Sequence, residues 1–333
     1  MIDSREISVV VQGAVAGRPT DPPSARLTER CLLSVRRRLP HAEIILSTWK
    51  GSQVEGLSFD RLVLNDDPGA HPLDAARKTP NNINRQIVST HNGLAVAERK
   101  YAVKLRSDFE MFGTGFLDYF NRYRARCDSW RIFRERVVAP TVFSINPRRF
   151  APMPFHPSDW FFFGLRDDLR NLWDVPAAPE PETSRWYEER TPPRLPFLGG
   201  RMARYAPEQT LWLGLLRKHA AVACDHMTDA TPEAIELTEL TFANNLVLAS
   251  PRRLGIRNLK GSRGSDFDRD CFAIYTHRDW LKLYRRYCDR AVQVPMFEVR
   301  SSLNGQAFFW YSLYRRMHAV AGGLTRRSVS PKS

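Results

Sequence analysis

Residues 101–109, Tyr-Ala-Val-Lys-Leu-Arg-Ser-Asp-Phe, join an apolar run to an abrupt polar ending at Arg106-Ser107-Asp108. The run has the composition of a buried strand. In α/β proteins ligands bind in the crevice beyond the carboxyl ends of the strands, so a carboxylate at such an end marks Asp108 as the first functional candidate. Glu110 lies two positions on. On extended chain the two carboxylates would point the same way, a spacing suited to one divalent cation, Mn²⁺ or Mg²⁺, bridging phosphates. An isolated strand-end Asp can equally be a cap or an ion-pair partner.

The neighbouring segments repeat the pattern. Ile7 to Gly13 is a β-branched run stopped by glycine, and Ala42 to Trp49 and Arg61 to Gly69 are further short apolar runs closed by turn residues. Between the first two, Leu27, Cys31, Leu32, Val35 and Leu39 recur at helical spacing; between the third and Tyr101, Ile83, Ile87, Leu94 and Ala97 do the same. Strand, helix, strand, strand, helix, strand is a nucleotide-binding α/β half. It gathers Gln12, Thr48, Asn65 and Asp108 along one rim.

In order along the chain stand VVVQG at 9–13, AEIILSTW at 42–49, LVLNDDPG at 62–69, NNINRQI at 81–87, YAVKLRSD at 101–108, HPSDWFFFG at 156–164, PEQTLW at 207–212 and ANN at 243–245. Together they resemble the WavE lipopolysaccharide-synthesis family over roughly residues 7–260. That resemblance implies an α/β, GT-A-like nucleotide-sugar-binding fold with a mixed central sheet flanked by helices, followed by basic and aromatic C-terminal helices. It implies glycosyl transfer from a nucleotide-sugar donor to lipopolysaccharide core or another bacterial surface glycan. Asp108-Phe109-Glu110 is a loose form of the Asp-x-Asp signature with which such enzymes hold a metal on the donor diphosphate.

Glycosyl transfer needs the diphosphate neutralised, by a divalent metal or by Arg and Lys. Arg85, Lys104 and Arg106 are the cationic candidates. In Asn81-Asn82-Ile83-Asn84-Arg85-Gln86 four amides surround one arginine at a helix start, a set suited to an anionic, polyhydroxylated donor, though also to an ordinary polar cap. Gln12-Gly13 lets backbone approach a nucleotide closely. Thr48 and Trp49 end the second strand, where Trp49 either stacks on a base or fills core. Asn65 either holds base or ribose or serves the turn before Pro68-Gly69.

The apolar run Trp160 to Phe163 must be a buried strand, so His156, Ser158 and Asp159 are held at its mouth, where His156 and Ser158 would meet the acceptor. Asp159 and Glu208 compete as general base for an inverting reaction; Glu208 also suits a helix N-terminus as a dipole partner.

Fifty basic residues against 36 acidic ones give a net charge of +14. With no zinc, helix-turn-helix or aromatic-glycine signature, the excess points away from nucleic acid and toward an anionic glycolipid or polysaccharide acceptor, or a membrane surface. The runs 278–290 and 308–316 interleave arginines with Trp280, Tyr284, Tyr287, Phe309 and Trp310, a pattern shared by helices that lie on anionic bilayers and by amphipathic helices packed on a domain. Five dispersed cysteines and a start without a basic leader fit a reduced, cytoplasmic setting at the inner face of the bacterial inner membrane. The expected organisation is a catalytic domain over 1–262, with a proline-rich mobile insertion at 175–196, and a helical extension over 263–333. The rivals are a sugar-phosphate or nucleotidyl transferase on a similar scaffold, and a non-catalytic module that binds anionic glycan or membrane.

Overall fold

The computed structural model describes residues 2–17, 20–73, 80–192, 202–260, 272–299, 301–303, 305–310 and 313. After a short 3-10 turn the chain runs β1 (Ile7–Gln12), α1 (Leu27–Arg38), β2 (Glu43–Trp49), β3 (Arg61–Asn65), β4 (His71–Pro72), β5 (Pro80–Asn81), α2 (Ile83–Ala95) and β6 (Tyr101–Arg106). Then come β7 (Phe109–Met111), α3 (Phe116–Tyr119), β8 (Val137–Pro140), β9 (Phe161–Leu165), α4 (Arg166–Trp173) and α5 (Pro207–Arg217). The described elements end with α6 (Pro232–Asn245), β10 (Leu246–Ala249), α7 (Pro251–Leu254), β11 (Ile256–Asn258) and α8 (His277–Tyr287).

Seven strands form one mixed sheet in the order β10-β8-β9-β6-β1-β2-β3. The pairs β1–β2, β1–β6, β2–β3 and β8–β10 are parallel, and β9 runs antiparallel between β6 and β8. All six residues of β1 are buried, as an apolar run covered on both faces requires. The chain leaves β1 toward β2 and β3, then returns on the other side of β1 as β6. The carboxyl ends of β1 and β6 therefore flank a topological switch point, where an open sheet leaves a crevice.

Helix α2 covers this crevice because Gly93 lets it close on the sheet. A Cβ there would stand 2.4 Å from Val10 Cγ1 and 3.0 Å from Ser47 Cβ. The antiparallel ribbon β7–β11 lies beside β6 and carries residues 258–260 back to Asp108, whose carbonyl accepts from the Leu259 N–H at 2.9 Å.

The described part of the proline-rich segment is irregular, as its composition requires, but it is anchored. Asn84 exchanges two hydrogen bonds with Ala178, and the Asn81 amide donates to Ser184 Oγ at 3.1 Å. Residues 193–196 of that segment lie outside the described residues.

Helix α8 corrects the interfacial reading of run 278–290. Trp280 is fully buried and Tyr284 nearly so, both within the core that includes the central sheet. The two rings stack at 5.4 Å, and the Trp280 indole N–H donates to Phe242 O on α6. Arg286 is spent on Glu236 and Glu239. Of run 308–316, positions 311, 312 and 314–316 lie outside the described residues.

Candidate active site

Two cavities adjoin at the amino end of α2. The first, of about 460 Å³, opens beyond the ends of β1 and β6 and is lined by Gln12, Gly13, Trp49, Asn82, Arg85, Gln86, Arg106, Ser107, Asp108 and Lys260 among others. Its floor is tight. Gly13 has φ +115°, and a Cβ there would meet Ser107 Oγ at 3.2 Å, so main chain approaches the cavity without a side-chain obstacle. Gln12 is locked by Ser89 Oγ, which donates to Gln12 Oε1 at 2.8 Å.

The cavity is electropositive despite its carboxylates. Arg106 makes two hydrogen bonds to Asp108, from Nε at 3.0 Å and from a terminal nitrogen at 2.8 Å, and Lys260 Nζ lies 3.0 Å from the same carboxylate. Burial pushes the Asp108 carboxyl up, but the Arg106 bonds and charge, joined by Lys260, outweigh it and hold the group at about 2. Across the cavity Arg85 makes a fork of two bonds to Asp67, at 2.7 and 2.6 Å. Three cations thus stand pre-positioned by two carboxylates, a set that can take over an anionic ligand's charge.

The pairing of Asp108 with Glu110 on one metal does not form. Ser107 and Asp108 make a turn, so the chain is not extended there and β7 starts afresh at Phe109. Glu110 instead meets Arg257 at 2.6 Å and Arg30 at 3.6 Å. Among the described residues no three His, Cys, Asp or Glu side chains gather as a metal would require. With both carboxylates committed to cations, the donor set does not fit Mn²⁺ or Mg²⁺.

The second cavity, of about 300 Å³, is more apolar and shares Asn82 and Gln86 with the first. Asn81, Phe143, His156, Tyr205, Glu208 and Met227 complete much of its wall. Pro207 opens α5, so Glu208 sits in the first turn with its carboxylate 3.6 Å from His156 Nε2. His156 Nδ1 donates to Phe143 O at 2.9 Å, which leaves Nε2 without a proton in the neutral ring. Burial lowers the imidazole to about 4, against the opposing pull of the Phe143 carbonyl and Asp159. Burial and then the charge of Asp159 push the Glu208 carboxyl well above its ordinary range.

Asp159 itself is buried behind this wall, and its backbone carbonyl accepts from the ammonium of Lys104. Lys104 is wholly inside the protein, 4.9 Å from the Trp173 ring, and burial lowers it to about 8 against the pull of Asp159. It reaches neither cavity.

Several sequence candidates turn out to be braces. Thr48 is buried and bonds Ser52; Asn65 donates to Ser47 Oγ and Thr48 O and accepts from Asn92. Ser158 is fully buried, its N–H donating to Ser144 Oγ. In ANN, Asn244 and Asn245 bind the main chain of 127–133 rather than any cavity.

Two residues escaped the sequence reading. Lys260 reaches Asp108 only through the β7–β11 ribbon, a pairing with no local signal. Gln86 stood in view within NNINRQI; its Oε1 is buried with no hydrogen-bond partner at the wall common to both cavities. A buried unsatisfied carbonyl is destabilising by about 1–3 kcal/mol, which is tolerated where a ligand completes it.

The chain is thus an open, mixed-sheet α/β protein with a cationic cleft at its switch point, the place where folds of this class bind ligands. The chain belongs to the family described as WavE lipopolysaccharide synthesis, which matches residues 7–315. No curated protein sequence matches it. Among solved structures it is similar to the inositol-1-phosphate CTP transferase from T. maritima, at 10% identity and a TM-score of 0.32, over 72% of this chain and 97% of that one. It is also similar to the 4-diphosphocytidyl-2C-methyl-D-erythritol synthase from Anaerococcus prevotii DSM 20548, at 10% identity and a TM-score of 0.29, over 65% of this chain and 99% of that one. At these scores neither says what this chain acts on.

Proposed function

We propose that the chain is a GT-A-like glycosyltransferase that moves a sugar from a nucleotide-sugar donor to lipopolysaccharide core or another surface glycan, at the inner face of the bacterial inner membrane. The observation that carries this reading is the pair of adjoining cavities: a cationic one at the strand ends and a second one walled by a buried glutamate. The donor diphosphate occupies the first, its charge met by Arg85, Arg106 and Lys260, with Trp49 beside the base. The acceptor hydroxyl enters the second and faces Glu208.

In the transfer the acceptor oxygen bonds to the sugar's anomeric carbon as the bond from that carbon to the diphosphate breaks. The nucleoside diphosphate leaves with the bonding pair, and the hydroxyl proton passes to the Glu208 carboxylate. A raised pKa makes Glu208 the stronger base once ionised. Asp159, out of contact with either cavity, acts on Glu208 through its charge.

Incubation with UDP-, GDP-, CMP- and dTDP-sugars, in excess chelator, tests this. Release of nucleoside phosphate with sugar appearing on a core-glycan acceptor is the expected result, and it should persist in chelator because the cations are the protein's own. Release of pyrophosphate from a nucleoside triphosphate supplied with a sugar 1-phosphate, with no transfer from any nucleotide-sugar, would instead assign nucleotidyl transfer, and silence without added Mn²⁺ would return the phosphate chemistry to a metal.

A further inference from the structure

A third cavity, of about 630 Å³, lies away from both others and shares no lining residue with them. It is enclosed by α3, α7 and α8, and three arginines, Arg122, Arg124 and Arg253, stand around it. Arg122 lies 5.9 and 5.7 Å from the rings of Tyr119 and Tyr123. Among the described residues none of the three arginines forms an ion pair, in contrast to Arg85 and Arg106 of the donor cavity. The single carboxylate in the lining is Asp289. The cavity therefore carries uncompensated positive charge.

A second, independent feature begins at its rim. Pro295 lines the cavity, and Met296 and Phe297 follow directly, 95% and 68% exposed. Arg278 of α8 fixes this strap by donating to Pro295 O at 2.7 Å and Met296 O at 2.8 Å, so the apolar side chains are presented by a tethered segment. Of the ten large exposed hydrophobic residues among the described ones, seven fall between 296 and 313, including Phe309 and Trp310. Met296 and Phe297, presented beside a cationic cavity, match the two layers of a bilayer surface: phosphate outside, acyl chain beneath.

We propose that the arginine cavity and the strap at 295–297 dock the protein on an anionic phospholipid surface, with headgroup phosphate among Arg122, Arg124 and Arg253 and with Met296 and Phe297 in the acyl boundary. The proposal rests on the transfer reading only in that the acceptor is membrane-held. It replaces α8, whose aromatic face is buried, as the membrane-facing element. Charge complementarity selects the partner, since a neutral apolar surface would leave the three guanidinium groups unmatched.

Co-sedimentation of the full chain with phosphatidylglycerol vesicles and with phosphatidylcholine vesicles tests it. Binding is expected only to the first. Removing one cation from beside an anionic leaflet weakens binding by about fivefold, so Arg122→Gln with Arg253→Gln should lower partition at least tenfold. Met296→Ser with Phe297→Ser, on exposed positions that leave the core untouched, should release the protein at moderate salt. Thermal stabilisation by the nucleotide-sugar donor should be unchanged in both variants, which separates docking from the donor site. Equal binding to both vesicle types, or wild-type binding by the serine variant, would overturn the proposal. So would saturation of the cavity by soluble glycerol phosphate without any vesicle binding.

Discussion

Glu208 shows how one side chain's surroundings set its chemistry. Its folded-state pKa is raised, so the folded protein holds the proton more tightly than the unfolded chain, and stability is lost as pH rises from the ordinary glutamate range through the raised value. Glu208→Gln removes that penalty. The variant should melt at a higher temperature than the parent at pH 8, with the difference closing toward pH ~4, while kcat falls by about 10²–10⁴ and donor affinity holds. Equal losses in kcat and donor affinity would make Glu208 a positioning group. Gln86 carries a stability penalty of its own: Gln86→Leu takes away an orphaned buried carbonyl at little change in volume. We expect an unchanged or higher melting temperature together with at least a tenfold drop, about 1.4 kcal/mol, in kcat/KM; a drop in stability with full activity would mean that Oε1 serves the fold.

Helix α2 does more for the site than any other element, because Asn82, Arg85 and Gln86 lie in its first turn and the residue before it. Its height above the sheet is set near its other end, by Gly93 against Val10 and Ser47. Alanine there gains about 1 kcal/mol of helix propensity but forces an overpacking worth about 1–3 kcal/mol. Gly93→Ala should therefore lower unfolding free energy by up to about 2 kcal/mol, measured by urea titration, and weaken donor binding because the first turn lifts with the helix. A variant as stable as the parent would show that the sheet yields instead. The helix was plain from Ile83, Ile87 and Leu94; the role of Gly93 was not, since closeness to Val10 is a property of the packed pair.

Across the whole molecule, the catalytic portion read from the sequence as 1–262 does not carry its core alone. Tyr275, Trp280, Leu281, Leu283 and Tyr284 belong to the same apolar cluster as β1 and β6. Ending the chain at 262 would bare that surface, and burial of each such side chain is worth about 1.5–3 kcal/mol. That truncation should yield aggregated or unfolded protein by circular dichroism and gel filtration. A soluble, cooperatively melting product would show that α8 is an independent appendage. The net charge of +14 is likewise a whole-chain quantity whose placement matters: Arg286 is neutralised by α6, whereas Arg122 and Arg253 are not neutralised among the described residues.

Local pattern was enough for the strands and helices of the first half, because periodicity and turn residues act over a few positions. It also singled out Asp108, Arg106, Arg85 and Glu208 by residue type at strand ends and helix starts, and each of these lines one of the two adjoining cavities. Tertiary structure alone decided which candidates face a cavity. A polar residue at a strand end is compatible with either side of the sheet wall; Thr48, Asn65 and Ser158 turn inward, where their side chains bond Ser52, Ser47 and the Trp160 N–H, and Asp159 is buried where its charge favours the Lys104 ammonium. It alone brought Lys260 to Asp108 across 152 positions of chain, and separated Glu110 from Asp108 by one turn. Contacts between distant segments depend on strand pairing and helix packing, and no property of a single segment encodes them.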